Sequence, residues 1–502
     1  MKRWRTSLGN ERGVALVLAL MILLTLTGLV LAFLSVSAFE PQISRNLADT
    51  TRARYLAEAG LEVGYNALIA TADANSSWTG LLASATTSSP WVILSTPTTP
   101  GPSVALNAVS LPGLDSTSGI YTVSVRNDYQ AADSALTGTT VDPGGVSTDA
   151  NIGTKIVIMR ATGSYNNAVK TLEVVVKRLA LPPLPGAVNI PGNQADTYIN
   201  TQNFEIDGRD YACSSSCDSA ANWTTTDPAD KRKYALSTQT GTQQNVGMTY
   251  EARVESAFNS DDKKASVRGK SEVDGSFTTG LNTIQADSSL NPNVMSGFLA
   301  KLAAFPGTTV LQSTMACPMV FAGRADTAPD GKPNSTRPAL SNGGGACSSL
   351  LPASNTVNGC VGVCVDLGTR DNPKLVYFRG QLDTSSNFTG LRLNTASGDP
   401  PIKGAGILVV EDGDLKNYGT FDWDGIVIVT GAYTSAAFYS GSITKVRGAL
   451  AALESQAGER SGYFEFYLNA NANQFSIKNS KQNVDMVQTM RALHAMSSWR
   501  EI

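Results

Sequence analysis

The sequence predicts an α+β protein: one long N-terminal helix, a small antiparallel sheet, and then a mostly-β C-terminal domain. Three observations predict it. Val14 to Phe39 holds no charged residue. Residues 119–129 and 156–177 alternate apolar and polar positions as half-buried strands do. Beyond residue 193, short β-type runs are set apart by Gly, Asn and Asp. With 502 residues, two or three folded units are expected. Charged residues make up 16%, and 39 Lys and Arg face 42 Asp and Glu for a net charge of −3. No global attraction to nucleic acid or anionic lipid follows from that balance.

The helix comes first. The 26 residues Val14–Phe39 rise about 39 Å as an α-helix, enough to cross a hydrocarbon core of roughly 30 Å. Lys2, Arg3, Arg5 and Arg12 precede the run against Glu11 alone, while charges after it nearly balance. The positive-inside bias places the N-terminus in the cytoplasm and the rest of the chain outside. A secretory signal peptide competes, with "SVSA" (Ser35–Ala38) as its cleavage site. It wants a shorter apolar core, of about 7–15 residues, and a small-residue site after that core. Here the run is longer and a glycine, Gly13, stands at its start. Pro41 predicts a kink. Downstream, Leu56, Ala59, Gly60, Val63 and Ala67 form one helical stripe, widened by Leu61, Tyr65 and Leu68. The helix is therefore expected over 14–74, with 14–39 in the membrane.

A head domain is expected over 75–180. Residues 75–118 are rich in Ser, Thr, Pro and Gly and read as a loop. "GIYTVSVRNDY" (Gly119–Tyr129) reads as a strand. Ile156–Arg160 and Thr171–Lys177, joined through "GSYNNA", read as a hairpin. Pro-rich residues 181–192 predict a stiff linker, and 193–502 a separate display domain. Within it, Ile407–Val410 and Ile426–Val429 are matching apolar tetrads 19 residues apart, each preceded by glycine. That spacing suits one turn of a β-solenoid; a β-sandwich is the alternative.

Residues able to carry chemistry are few. The sole histidine, His494, lies eight residues from the C-terminus. It excludes multi-histidine metal sites and leaves a histidine-dependent triad one position; a surface or packing role is expected. Six cysteines, Cys213, Cys217, Cys317, Cys347, Cys360 and Cys364, all fall outside the membrane. Their even number in an oxidising compartment favours disulfides. The spacing suggests Cys213–Cys217, Cys360–Cys364 and Cys317–Cys347; a four-thiolate zinc site is the runner-up. "EDGDLKNYGTFDWDG" gathers Glu411, Asp412, Asp414, Asp422 and Asp424. They suit a Ca²⁺ site or acid–base pair less well than turns between strands. "DKRK" (Asp230–Lys233) and "DDKKASVRGK" (Asp261–Lys270) are basic patches interrupted by aspartates. Tyr418, Phe421, Trp423 and Tyr433 are the candidate ligand face, with core packing as the alternative. Neither a phosphate-cradling loop nor a serine with an identifiable base is present. No catalytic residue, cofactor or metal is expected.

"RGVALVLALMILLTLTGL" followed by "RNLADTTRARYLAEAGLE" resembles the PilX N-terminal family of type IV pilus minor pilins, over roughly Arg12 to Leu68. The later "GAGILVV" with "DGIVIV", and the "WRE" at Trp499–Glu501, resemble large members of that family. The resemblance implies a leader over 1–13, cut by a prepilin peptidase between Gly13 and Val14. It implies a pilin-like head, and a β-solenoid rather than a sandwich. The apolar helix would partner other minor pilins and the major pilin. The chain would lie in the inner membrane before assembly and in an extracellular filament afterwards. Leu18, the fifth residue after Gly13, stands where such proteins usually carry a glutamate that neutralises the terminal amine of an adjoining subunit. Its absence implies a place at the filament tip. The expected function is that of a non-catalytic minor pilin displaying a β-rich domain for adhesion or for substrate or DNA capture. A membrane-tethered polysaccharide enzyme and a type II secretion tip pseudopilin are the alternatives.

Overall fold

The computed structural model describes the chain except residues 1–10, 72–77, 98–101, 112, 114–115, 138–149, 151–154, 194, 203, 218, 226–230, 244–245, 273–280, 307, 313–318, 324–338, 342–354, 358–359, 363–364, 381–389, 396–401, 418, 432–435, 439–441, 455–465 and 469–474. Two compact units result. One holds Met1–Thr71, Leu81–Val176 and Ser497–Ile502, and the other Ala72–Gly80 and Lys177–Met496.

The first unit pairs a helix with a sheet. Helix α1 (Glu11–Ala70) continues through Pro41. The sheet runs β1 (Val92–Ile93), β2 (Ile120–Asn127), β3 (Ile156–Tyr165), β4 (Ala168–Arg178), then the C-terminal strand His494–Glu501. The expected hairpin is β3–β4. It turns at Asn166, whose φ of 52° is one that asparagine tolerates better than most residues. Strands β2 and β3 are antiparallel, with Tyr121 opposite Gly163, Val123 opposite Ala161 and Val125 opposite Met159.

Small residues let the helix approach this sheet closely. Ala53, Leu56, Ala57, Gly60, Gly64, Ala67 and Leu68 are buried, whereas Ala59 and Val63 of the expected stripe sit half-buried on its flanks. A Cβ on Gly64 would lie 2.5 Å from Val123 Cγ1, and one on Gly163 would lie 2.1 Å from the Ala53 carbonyl oxygen. The stripe is therefore centred on the glycines, because they, not Val63, let Tyr121 and Val123 of the sheet pack onto the helix backbone.

In the second unit the two long ladders are parallel, with short antiparallel pairs beside them such as Tyr211–Cys213 with Trp223–Thr225. One runs from Val267–Arg268 through Glu205–Asp207, Phe475–Asn479, Ile443–Glu454, Thr420–Gly431, Ile402–Glu411 and Lys374–Arg379 to Val310–Gln312. The other runs from Thr197–Ile199 through Phe466–Leu468, Ala436–Phe438, Asp414–Asn417 and Gly390–Thr395 to Met319–Gly323. Between residues 374 and 479 successive strands alternate between the two ladders. The sandwich alternative requires antiparallel neighbours and does not describe these ladders. The predicted tetrads are neighbours in register: Ile407 faces Ile426, which faces Ala449 of the next strand.

Those tetrads are unbroken apolar runs because both of their faces are covered, as is general for buried parallel strands. Leu408, Val410, Val427, Val429, Leu450 and Ala452 face one core. Ile407, Val409, Ile426, Ile428, Ala449 and Ala451 face a second, built with helices Pro292–Ala303 and Lys481–Gln488. The first helix is started by the Asn291 side chain, which accepts from Val294 N at 3.1 Å, and by Pro292 in its first turn. Ser480 Oγ starts the second by accepting from Asn483 N at 3.2 Å.

Ahead of each tetrad a glycine turns the strand. Gly406, Gly425 and Gly448 have φ of 122°, 134° and 148° and stand in one row. A Cβ on Gly425 would lie 2.1 Å from Gly406 O, and one on Gly448 2.0 Å from Gly425 O. Each glycine is thus needed twice, for its backbone conformation and for the carbonyl pressed against it.

Two expected boundaries are corrected. Residues 181–192 are not a linker. Gly186–Ile190 is a wholly buried strand paired with Tyr234–Thr238 and Leu450–Ala451, because "GAVNI" is apolar enough for an interior position. Nor is 193–502 one continuous domain, since its last residues supply the fifth strand of the first unit. Gly425→Ala should cost the second unit about 3 kcal/mol or more, read as a lower denaturant midpoint. An equivalent Ala substitution at Gly80, whose Cβ would meet nothing, should change it little.

Candidate functional site

The candidate site is the N-terminal half of α1. Its side chains Val14, Leu16, Val17, Leu18, Leu20 and Met21, and onward through Phe39, stay exposed, Leu18 at 57%. A helix this long and apolar meets the requirement for crossing a membrane. Three hydroxyls within the span bond back to the helix. Thr25 Oγ1 donates to Ile22 O at 2.9 Å, Thr27 Oγ1 to Leu23 O at 2.6 Å, and Ser35 Oγ to Ala32 O at 2.7 Å. Such back-bonding suits surroundings without water. Gly13 and Val14 lie in the first helical turns, with nothing within 4 Å of where a Gly13 Cβ would stand and Val14 exposed.

From Asp49 onward the helix is fastened to the sheet. Asn166 Nδ2 donates to Asp49 Oδ2 at 3.0 Å, and Arg52 Nη1 to Tyr165 OH at 2.7 Å while its guanidinium lies 4.9 Å above the Tyr165 ring. One helix therefore has two environments: an exposed apolar half and a half packed on its own head.

Of the expected carboxylate cluster, Glu411, Asp422 and Asp424 are paired with arginines, and the Asp414 side chain lies outside what is described. Glu411 accepts from Tyr377 OH at 2.6 Å and pairs with Arg379 at 2.5 Å. Arg447 binds both Asp422 and Asp424, the latter at 2.6 Å. Burial raises the Asp422 pKa against the opposing pull of Arg447. Asp412 forms a turn with φ of 53°. Among the described residues no group of acidic, histidine or cysteine side chains is placed to hold a metal.

The proposed ligand face requires correction. Phe421 and Trp423 are core residues at 1% and 0% exposure, stacked on each other at 5.9 Å. Trp423 Nε1 donates to Gly406 O at 3.2 Å, and a Cβ on Gly404 would fall 2.2 Å from its ring, so glycine makes the space that the indole fills. Tyr418 and Tyr433 lie outside the described residues. The two basic stretches meet, Lys270 N donating to Lys233 O at 2.7 Å, but their side chains are engaged locally: Lys263 Nζ donates to Ile199 O at 2.7 Å, Lys270 lies over Tyr234, and burial lowers the Lys233 pKa to about 8.

Cys213 and Cys217 are joined in a disulfide; Cys317, Cys347 and Cys364, and the Cys360 side chain, lie outside what is described. The joined pair borders a feature that the sequence did not announce. Trp223, opposite Cys213 in a two-strand ladder, donates from Nε1 to Cys217 O at 2.9 Å. The Arg370 and Arg447 guanidiniums each lie 4.9 Å from its ring. Asn483 adds bonds to Asp424 at 3.1 Å and Arg447 O at 2.8 Å. Residues so far apart in sequence leave no spacing signal. His494, as expected, packs: Nδ1 is 2.9 Å from Met490 O and the ring 6.2 Å from Trp78.

Burial, reinforced by Arg178 and opposed by the Met490 carbonyl, lowers the His494 pKa to about 4. The folded chain therefore favours neutral imidazole. This contribution is complete above the unfolded value of about 6.5 and is lost as pH falls toward 4, up to roughly 3 kcal/mol. Between pH 7 and 5 the wild-type chain should lose about 2 kcal/mol of stability that His494→Gln does not lose, as read from paired denaturant titrations.

Comparison with known proteins agrees with the helix. Residues 12–62 match the PilX N-terminal family model. The crystal structure of the competence-associated pilin ComZ from Thermus thermophilus aligns over 90% of this chain and 97% of that chain, at 12% identity and a TM-score of 0.23, a likeness too weak to argue from. No curated protein matches the sequence.

Proposed function

We propose that this chain is a minor pilin of a type IV pilus. The observation that carries the reading is the division of α1. A PilX-type segment projects an apolar half that its own chain leaves bare, then continues as the spine of a head with an antiparallel sheet. The exposed half costs too much in water and needs lipid before assembly and other apolar helices afterwards. Prepilin peptidase cuts between Gly13 and Val14 on the cytoplasmic face of the inner membrane, and the mature chain joins the major pilin and other minor pilins in an extracellular filament.

The second unit is, on this reading, a parallel β-solenoid. Support comes from strands that alternate between two parallel ladders and from the row of glycines that turns each long strand at the same point. It is displayed for adhesion or capture of an extracellular ligand, and its role is non-catalytic. The pairing of Asp422, Asp424 and Glu411 with arginines speaks against the polysaccharide-enzyme alternative, because an acid–base pair needs a carboxylate free to exchange protons.

Leu18 gives the position. A carboxylate there would neutralise the mature amine of a neighbouring subunit, and an unpaired amine inside an apolar bundle is costly. A subunit with leucine at this place satisfies no amine above it and belongs at the tip. Peptide mapping of sheared filaments should find the mature N-terminus at Val14, and only in cells containing the peptidase. A start near Phe39 would contradict the reading. Leu18→Glu should bring no gain in incorporation, and immunogold label should mark filament ends; label along the shafts would overturn the tip assignment.

A further inference from the structure

The first unit closes its sheet with a strand from the far end of the chain. Strand β4 ends at Arg178 and the C-terminal strand starts at His494, with the second unit between them. That strand brings the partner for a wholly buried carboxylate. Glu173 Oε1 accepts from Arg160 Nε at 2.8 Å, while Oε2 accepts from Arg500 Nε at 2.9 Å and Nη2 at 2.7 Å. Glu501 reaches Lys170, the Arg54 guanidinium lies 5.9 Å from the Trp499 ring, and Ile502 N donates to Thr171 O at 3.0 Å. "WRE" is therefore three fastenings in succession: tryptophan beside the helix, arginine onto the buried acid, and glutamate onto β4.

The second unit holds its own entry and exit together. Leu179 N donates to Leu493 O at 2.9 Å. Leu179, Leu184, Met490 and Leu493 belong to the same core as Ile426 and Ile428 of the long strands. His494 is buried next to Trp78 at the point of exit. Folding of this unit thus converts a gap of roughly 300 residues into a hairpin-like connection one hydrogen bond wide. For a flexible chain, the chance that the ends meet falls as about the 3/2 power of loop length, so a loop of this size lowers it on the order of 10²–10³-fold relative to a tight turn.

We propose that the second unit is the turn that delivers the C-terminal strand to the head, so that the head closes only after that unit has folded. The order of events is built into the connectivity. Until the long strands assemble their core, residues 497–502 search from the end of a long coil, β4 stays an open edge, and the Glu173 carboxylate keeps only one of its two arginines. On the minor-pilin reading, a closed head would report a folded display unit; the closure itself does not depend on that reading.

Hydrogen exchange on the full-length chain in detergent micelles tests this, following β4 amides from Lys170 to Val176. A G425V/G448V chain, which places Cβ atoms against two carbonyls, serves to open the second unit; loss of protection over Ile426–Val429 certifies that it has. Exchange across β4 should then rise about 100-fold, matching a chain that stops before Ser497. Arg500→Ala should raise it less, and Arg500→Lys should recover part of the loss. If β4 stays protected while the tetrads exchange freely, the strand docks without its turn and the proposal is overturned. Full β4 protection in the chain that stops before Ser497 would overturn it equally.

Discussion

An apolar surface that the chain cannot cover by itself governs this protein. At about 25 cal/mol per Å² of apolar surface, the exposed side chains from Val14 to Phe39 carry a cost in water that the described residues do not relieve. They need lipid or other apolar helices, and both demand a helix whose backbone and hydroxyl groups are satisfied internally, as Thr25, Thr27 and Ser35 are. The rest of the first unit stiffens the other half of that helix. Gly163 lets the sheet backbone reach the helix backbone at Ala53, and Gly60 and Gly64 let Tyr121 and Val123 pack directly on the helix.

The second unit answers a different constraint. Parallel strands covered on both faces need long apolar runs and a regular way to turn, and the glycines at 406, 425 and 448 provide the turn by accepting a conformation and a carbonyl contact closed to any other residue. The charge buried beside these strands is paired. Arg447 holds two aspartates and lies over Trp223, and Asn483 ties the same group to the helix beside it. Truncating Arg447 would take from Asp422 its paired arginine and leave Asp424 with Arg370 at 3.7 Å and Asn483, which is the costly direction for a buried pair.

Local features of the chain were readable from its sequence, and non-local ones were not. The apolar span, the β3–β4 hairpin and the two tetrads each depend on residues within a short window, and hydrophobic period alone locates them. Hydrophobic period places the stripe on α1 through Val63, since valine outranks glycine in hydrophobicity; the sheet's close approach selects Gly64 instead. Three prolines before "GAVNI" suggest a linker, yet prolines before an extended strand are compatible with burial. Nothing local to Trp423 distinguishes a ligand face from the core, and Gly404 clears its place in the core. The pairing of Arg500 with Glu173 crosses more than 300 residues, and no periodicity reports a contact of that kind.

The central claim is that the bare half of α1 is buried against other pilin helices in an extracellular filament. Its most direct test is a photo-crosslinking amino acid placed at Leu24 and activated in intact, purified filaments. The account predicts a covalent adduct between this chain and another pilin, through a peptide of that pilin's own apolar helix. Crosslinks to lipid alone, with the chain missing from the filament fraction, would contradict it.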